Sequence, residues 1–197
     1  MKNVASLARS ALGWGPYLAA TLMVAGMVHI VSVLAMPRLA PRDAFARISA
    51  LAPLDRTTLL APVSPKNVTL PFEDPATALG VCRYDLREGP LRLTAALEPG
   101  QLILFSFHAR FGQVFYSMTD RVASHGGLDV LVLTLDQLQA YEANDTGDEL
   151  PKQLRIVSPS MRGFVLLRAL AVQPGDMPQA RASISAVDCT KTQAPQS

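Results

Sequence analysis

Arg83 and Asp85 flank Tyr84 in the run Val81-Cys82-Arg83-Tyr84-Asp85-Leu86, so in a strand a guanidinium and a carboxylate share one face. His108 closes an apolar run that begins near Gln101, and Asp120-Arg121 follows the aromatic run Val114–Met118. Gathered around one pocket, these five side chains would supply an acid or base, an anion contact and a carboxylate. That is a polar site fit for a small ligand or a hydrolytic reaction. Kept apart, they are ordinary ion pairs that finish sheet edges. His125 precedes Gly126-Gly127 in a turn, with Ser124 beside it. There is no G-x-S-x-G elbow, H-E-x-x-H helix, phosphate-binding loop or Rossmann glycine fingerprint. No catalytic residue is assigned, and no cofactor is expected.

Cys82 and Cys189 are the two cysteines of the chain. No third cysteine or nearby histidine gives either one metal-ligand spacing, so no metal site is expected. In an exported domain they form a natural disulfide pair; in a cytoplasmic one they would be two buried free thiols. A bond between them would tie the end of the domain to the strand holding Cys82.

The elements that must position these groups follow from patterning. Tyr17 to Met36 carries no formal charge, and about 20 helical residues span a hydrocarbon core of about 30 Å. Trp14 and Tyr17 stand at one end and Pro37-Arg38 at the other. The run exceeds the core of a typical cleaved signal peptide, so an uncleaved membrane anchor is expected. His29 lies within it, read as a neutral imidazole near the interface. Ala19, Ala20, Ala25 and Gly26 offer small residues to a partner helix. Basic residues flank both sides, so charge alone does not orient the span.

Residues 1–42 hold Lys2, Arg9, Arg38 and Arg42 and no acid, leaving 14 bases against 16 acids, a balance of −2, for the rest. A near-neutral domain without a basic stripe excludes nucleic-acid binding. Arg42–Leu51 fits a short amphipathic helix, either a stalk on the membrane surface or a helix packed on the domain. Prolines 53, 62, 65 and 71 then impose extended chain, with a short strand near Thr57–Leu60. Asp74-Pro75 predicts a helix start, with a short helix through Ala76–Leu79.

Strands are predicted at Val81–Leu86, Leu91–Ala95, Gln101–His108, Gln113–Met118, Leu128–Thr134, Gln153–Val157 and Phe164–Val172, with a hairpin loop over Ala109–Gly112. Helices are predicted at Leu135–Glu142 and Pro178–Val187. The fold class is therefore an N-terminal transmembrane helix plus a mainly β domain, sandwich-like or antiparallel α+β. The segments are 1–15 before the span, 16–37 the span, 38–72 a juxtamembrane helix and Pro-rich linker, 73–189 the β-rich domain, and 190–197 a polar tail.

The ordered set of Arg42-Asp43-Ala44-Phe45, Leu70-Pro71-Phe72 with Asp74-Pro75-Ala76, Cys82-Arg83-Tyr84-Asp85-Leu86, Phe115-Tyr116 with Thr119-Asp120-Arg121, Leu131-Val132-Leu133-Thr134 and Arg162-Gly163-Phe164-Val165, ending on Cys189, resembles the domain-of-unknown-function family 1254. In particular it resembles the family's short membrane-anchored members in bacterial envelopes. The resemblance implies a β-rich domain in the periplasm, anchored by a single pass in the inner membrane, with no established activity. Longer members carry a second domain, of family 1214, which implies a companion envelope protein as partner. The expected function is a non-enzymatic binding or interaction domain; the alternative is an envelope enzyme or small-ligand binder. The hairpin departs from the family, since Phe107-His108-Ala109-Arg110-Phe111-Gly112 stands where a Tyr-Asp/Asn-Arg-Arg-Gly pattern is usual.

Overall fold

A computed structural model describes residues 2–39, 44–62, 64, 73–97, 100–122, 127–143 and 153–192. Two compact units result, Met1–Pro41 and Arg42–Ser197. The first is one helix, α1 (Lys2–Leu39), which continues through the positions expected to precede the span. Its stretch Trp14–Met36, 23 residues, is long and apolar enough to cross a membrane, and none of it is buried within the protein.

The second unit contains two sheets. One has the order β1 (Thr57–Leu59), β2 (Thr77–Asp85), β8 (Arg162–Leu170), β4 (Ile103–Ala109) and β5 (Val114–Thr119). The other has the order β7 (Leu154–Val157), β6 (Gly127–Leu133), β3 (Leu91–Ala96) and β9 (Asp188–Lys191). All pairings are antiparallel except β6 with β7. Leu91, Leu93, Val130 and Val132 of the four-stranded sheet share one core with Tyr84, Phe105, Phe107, Val165 and Leu167 of the five-stranded sheet. The expected helix-plus-β-domain class is present, and the β part is a sandwich.

Cys82 lies on the inner face of β2 and Cys189 on β9, exposed 0% and 2%, and they are bonded across the sandwich with Cα atoms 6.5 Å apart. At one end of the sandwich α4 (Met177–Ser185) enters the core through Ala180 and Ile184. A Cβ on Gly80 would come within 2.2 Å of Ile184 Cγ2, so the helix approaches this closely because β2 has no side chain there. On the other sheet's flank α3 (Leu135–Ala143) packs against β7. It opens on a reciprocal cap: Gln137 N–H donates to Thr134 Oγ1 (3.2 Å), and Thr134 N–H donates to Gln137 Oε1 (2.9 Å).

Three expectations are corrected. Asp74 does accept from Ala76 N–H (2.9 Å), but it caps a single turn, and β2 replaces the helix expected over Ala76–Leu79. Ala78 faces the shared core while Leu79 faces a second apolar cluster, so a strand covered on both faces reads as a continuous apolar run. The sandwich also begins before residue 73: α2 (Ala44–Leu51) packs on it, and β1 joins its sheet. Finally, Thr190 and Lys191 belong to β9 rather than to a tail.

Candidate functional site

Three of the five singled-out residues meet on the outer face of the five-stranded sheet. The registers Arg83↔Phe164 and Phe164↔His108 run straight across β2, β8 and β4, and Asp85↔Arg162 lies two residues further along. Laterally paired residues point to the same side. The site is thus a row: Arg83, the Phe164 ring, His108.

Arg83 is spent on α2. Its Nη1 donates to the carbonyls of Ala52 (2.8 Å) and Ser49 (3.3 Å), where the last turn of the helix leaves acceptors without intrahelical partners. Its guanidinium lies 5.2 Å from the Phe45 ring centre, and Arg110 lies 4.4 Å from the same ring. Phe45 and Ile48 bury the apolar side of α2 against Val81, Phe164 and Leu166. Burial lowers the Arg83 pKa, and Arg162 adds to the shift by like-charge repulsion.

Asp85 is a counter-ion. Arg87 Nε donates to Oδ1 at 2.8 Å and Arg162 Nε to Oδ2 at 3.0 Å. The Arg87 hydrogen bonds, more than any other contact, hold the Asp85 carboxyl well below the usual carboxylate range. A carboxylate so held is a poor general base.

His108 is half-buried, its ring stacked on Phe164 at 4.6 Å with the planes 10° apart. Its Nδ1 lies 3.0 Å from Gly112 O and its Nε2 3.1 Å from Ser106 Oγ. Burial lowers the imidazole pKa, the Gly112 carbonyl partly offsets this, and Arg168 adds to the lowering. The Ser106–His108 contact has the form of a nucleophile and its base. Ser106 is buried, however, and its hydroxyl also lies 3.3 Å from Leu166 O, the carbonyl of the neighbouring strand.

Asp120 and Arg121 are elsewhere. They form the turn of 3-10 helix that follows β5, beyond the pairing of Thr119 with Leu104, whereas His108 pairs with Val114 at the other end of that strand. Asp120 Oδ1 is enclosed without a hydrogen-bond partner among the described residues. The five residues therefore do not converge. No group of three or more His, Cys, Asp or Glu able to hold a metal occurs among the described residues. His125, Ser124 and Leu70-Pro71-Phe72 lie outside them.

Comparison with known proteins accounts for most of the domain. Residues 56–191 match the family model described as "Protein of unknown function (DUF1254)". The chain belongs to the DUF1254 family. Among solved structures it is similar to the VPA0106 protein from Vibrio parahaemolyticus, with TM-score 0.51 and 12% identity over 76% of this chain and 34% of that one. An uncharacterized protein from Burkholderia cenocepacia is matched at TM-score 0.43 and 11% identity, over 71% of this chain and 34% of that one. The DUF1254 chain thus spans about a third of the length of these two proteins. No curated protein matches it.

Two residues of this DUF1254 domain outside the five matter as much as they do. Ser106 is one, and its position two before His108 on the same strand was the available signal. Gly163 is the other. A Cβ there would meet Tyr84 Oη at 2.3 Å and His108 O at 2.2 Å. Only glycine lets the Tyr84 hydroxyl sit between β8 and β4, where it donates to His108 O at 3.1 Å and lies 3.2 Å from Ser158 Oγ. Burial pushes the Tyr84 pKa up to about 12.

Proposed function

We propose that this DUF1254 protein is a single-span protein of the bacterial inner membrane that holds its sandwich in the periplasm as a non-enzymatic interaction domain. The observation that carries the reading is the bond between Cys82 and Cys189 through the centre of the sandwich. Such bonds persist in oxidising compartments and are rare in the cytoplasm. The apolar stretch Trp14–Met36, unburied along its length, supports the anchor. The absence of an enzymatic role is supported by the polar groups themselves. Arg83 is committed to a helix end, Asp85 to two arginines, and Asp120-Arg121 lie at the far end of the sheet. The expected partner is an envelope protein resembling the family 1214 domain that accompanies this domain in longer family members.

Reporter fusions after Ser197 and before Trp14 test the topology. A reporter active only outside the cytoplasm should work after Ser197 and fail before Trp14; the opposite pattern overturns the reading. Affinity capture of the tagged full-length protein from detergent-solubilised membranes should recover a stoichiometric envelope partner. Recovery of the protein alone removes the interaction role.

A further inference from the structure

We propose that two copies of this protein pair edge to edge through β5, joining their five-stranded sheets about a two-fold axis at Ser117.

The backbone of β5 is open on one side. Leu170 N–H donates to Leu102 O (3.0 Å), so the alternate residues Leu104, Ser106 and His108 of β4 turn their N–H and C=O groups toward β8. Phe105 and Phe107 turn theirs toward β5, and Ala109 N–H keeps the alternation by donating to Gln113 O at 2.8 Å. Their partners Met118 and Tyr116 are therefore committed to β4, whereas Ser117 and Thr119 present N–H and C=O outward. β5 ends the sheet, and these groups meet no other backbone among the described residues. The bulge between Phe107 and His108 lies toward the hairpin and leaves Tyr116–Thr119 regular.

Natural sheets blunt their edges with charge, brevity or a covering element. Three edges here are blunted. β1 has three residues and packs against α4, and β7 has four and packs against α3. β9 has four, of which Asp188 and Lys191 are charged. β5 has six residues and no charge, with Val114 exposed 56% and Tyr116 38%.

Symmetry names the occupant. In a two-fold pairing every residue of β5 occurs twice, and like charges opposed across strands are destabilising, so an uncharged strand suits its own copy. With the axis at Ser117, the two serines exchange both N–H···O bonds, and Tyr116 stands opposite Met118 of the second copy. Both belong to the inner face: Tyr116 lies beside Phe107 with ring centres 6.0 Å apart, and Met118 is part of the core. The exposed rim of Tyr116 thus gains an apolar neighbour. So short a ribbon buries well under the about 800 Å² per partner of a stable interface between free proteins. Copies held in one bilayer by Trp14–Met36 do not need that area, because confinement raises their effective concentration. A free soluble strand lacks this advantage, and the step rests on the anchor reading.

The test uses the full-length protein in isolated membranes. Cys82 and Cys189 are bonded to each other, so an introduced cysteine is the one free thiol. Across the axis the two Ser117 Cα atoms would lie about 5.5 Å apart, within disulfide reach. Ser117→Cys should therefore form a disulfide-linked dimer on mild oxidation, with peptide mapping showing Cys82–Cys189 intact. The two Thr119 positions would be about 14 Å apart along the strands, so Thr119→Cys should cross-link at least about tenfold less. Two differently tagged copies should be captured together from solubilised membranes. Ser117→Lys, a change on an exposed position that opposes two ammonium groups at the axis, should reduce this severalfold. Equal cross-linking at both positions, linkage of Ser117→Cys to a different protein, or co-capture unmoved by Ser117→Lys overturns the proposal. Fractionation without detergent reads the anchor separately. Membrane-bound protein that does not cross-link overturns the pairing alone; soluble protein that does cross-link overturns the anchor alone; soluble protein that does not overturns both.

Discussion

Replacing Arg83 with methionine separates a fastening role from a ligand-binding one. Methionine keeps most of the aliphatic volume and removes the guanidinium. The structure assigns that group two hydrogen bonds to α2 carbonyls, at 2.8 and 3.3 Å, and a ring contact at 5.2 Å. One well-placed charged hydrogen bond is worth about 1.5–2 kcal/mol, the longer one less, and the cation–π contact about 0.5 kcal/mol. The total for seating α2 is about 2–3 kcal/mol. Since about 1.4 kcal/mol is tenfold in an equilibrium constant, the open population of α2 should rise roughly 30- to 150-fold. Hydrogen exchange at neutral pH would show this as lost protection confined to residues 44–52, with the strand amides of β2 and β8 unchanged. Lysine at this position restores the charge without the two-pronged geometry and should recover only part of the protection. If Arg83→Met leaves α2 as protected as the wild type, Arg83 is not its fastening. If instead the whole sandwich loses protection equally, α2 is not a separable element.

The double variant Cys82→Ala/Cys189→Ala should unfold in urea with about 3–5 kcal/mol less stability, the chain-entropy value for a crosslink between residues 107 apart. A loss below about 1 kcal/mol would mean that native strain cancels it. Gly163→Ala should cost about 3 kcal/mol in the same assay. Adding Tyr84→Phe should not rescue it, because the His108 carbonyl oxygen remains 2.2 Å from the new Cβ. Asp85 has a folded pKa below its unfolded value of about 3.9. Its contribution is therefore fully present above pH 4 and lost as pH falls through the folded value. Asp85→Asn should lower stability by about 1 kcal/mol at pH 6 and flatten the acid limb below pH 4. An unchanged acid limb would assign it to other carboxylates.

Most strands were legible because alternation and turn residues are local signals. The hairpin at Ala109–Gly112 closes as read, with Gly112 at φ 82° and Ala109 N–H bonded to Gln113 O at 2.8 Å. β9 was illegible for the same reason: Asp188-Cys189-Thr190-Lys191 has one buried residue, and an edge strand with three exposed side chains looks like a polar tail. The expected helix at Ala76–Leu79 failed because Asp74-Pro75 caps a turn as readily as a helix, and only packing on both faces decides between them. For the candidate site, period two correctly put Arg83 and Asp85 on one face. It did not reveal that a helix end 31 residues earlier in the chain docks onto Arg83, a contact without local signature.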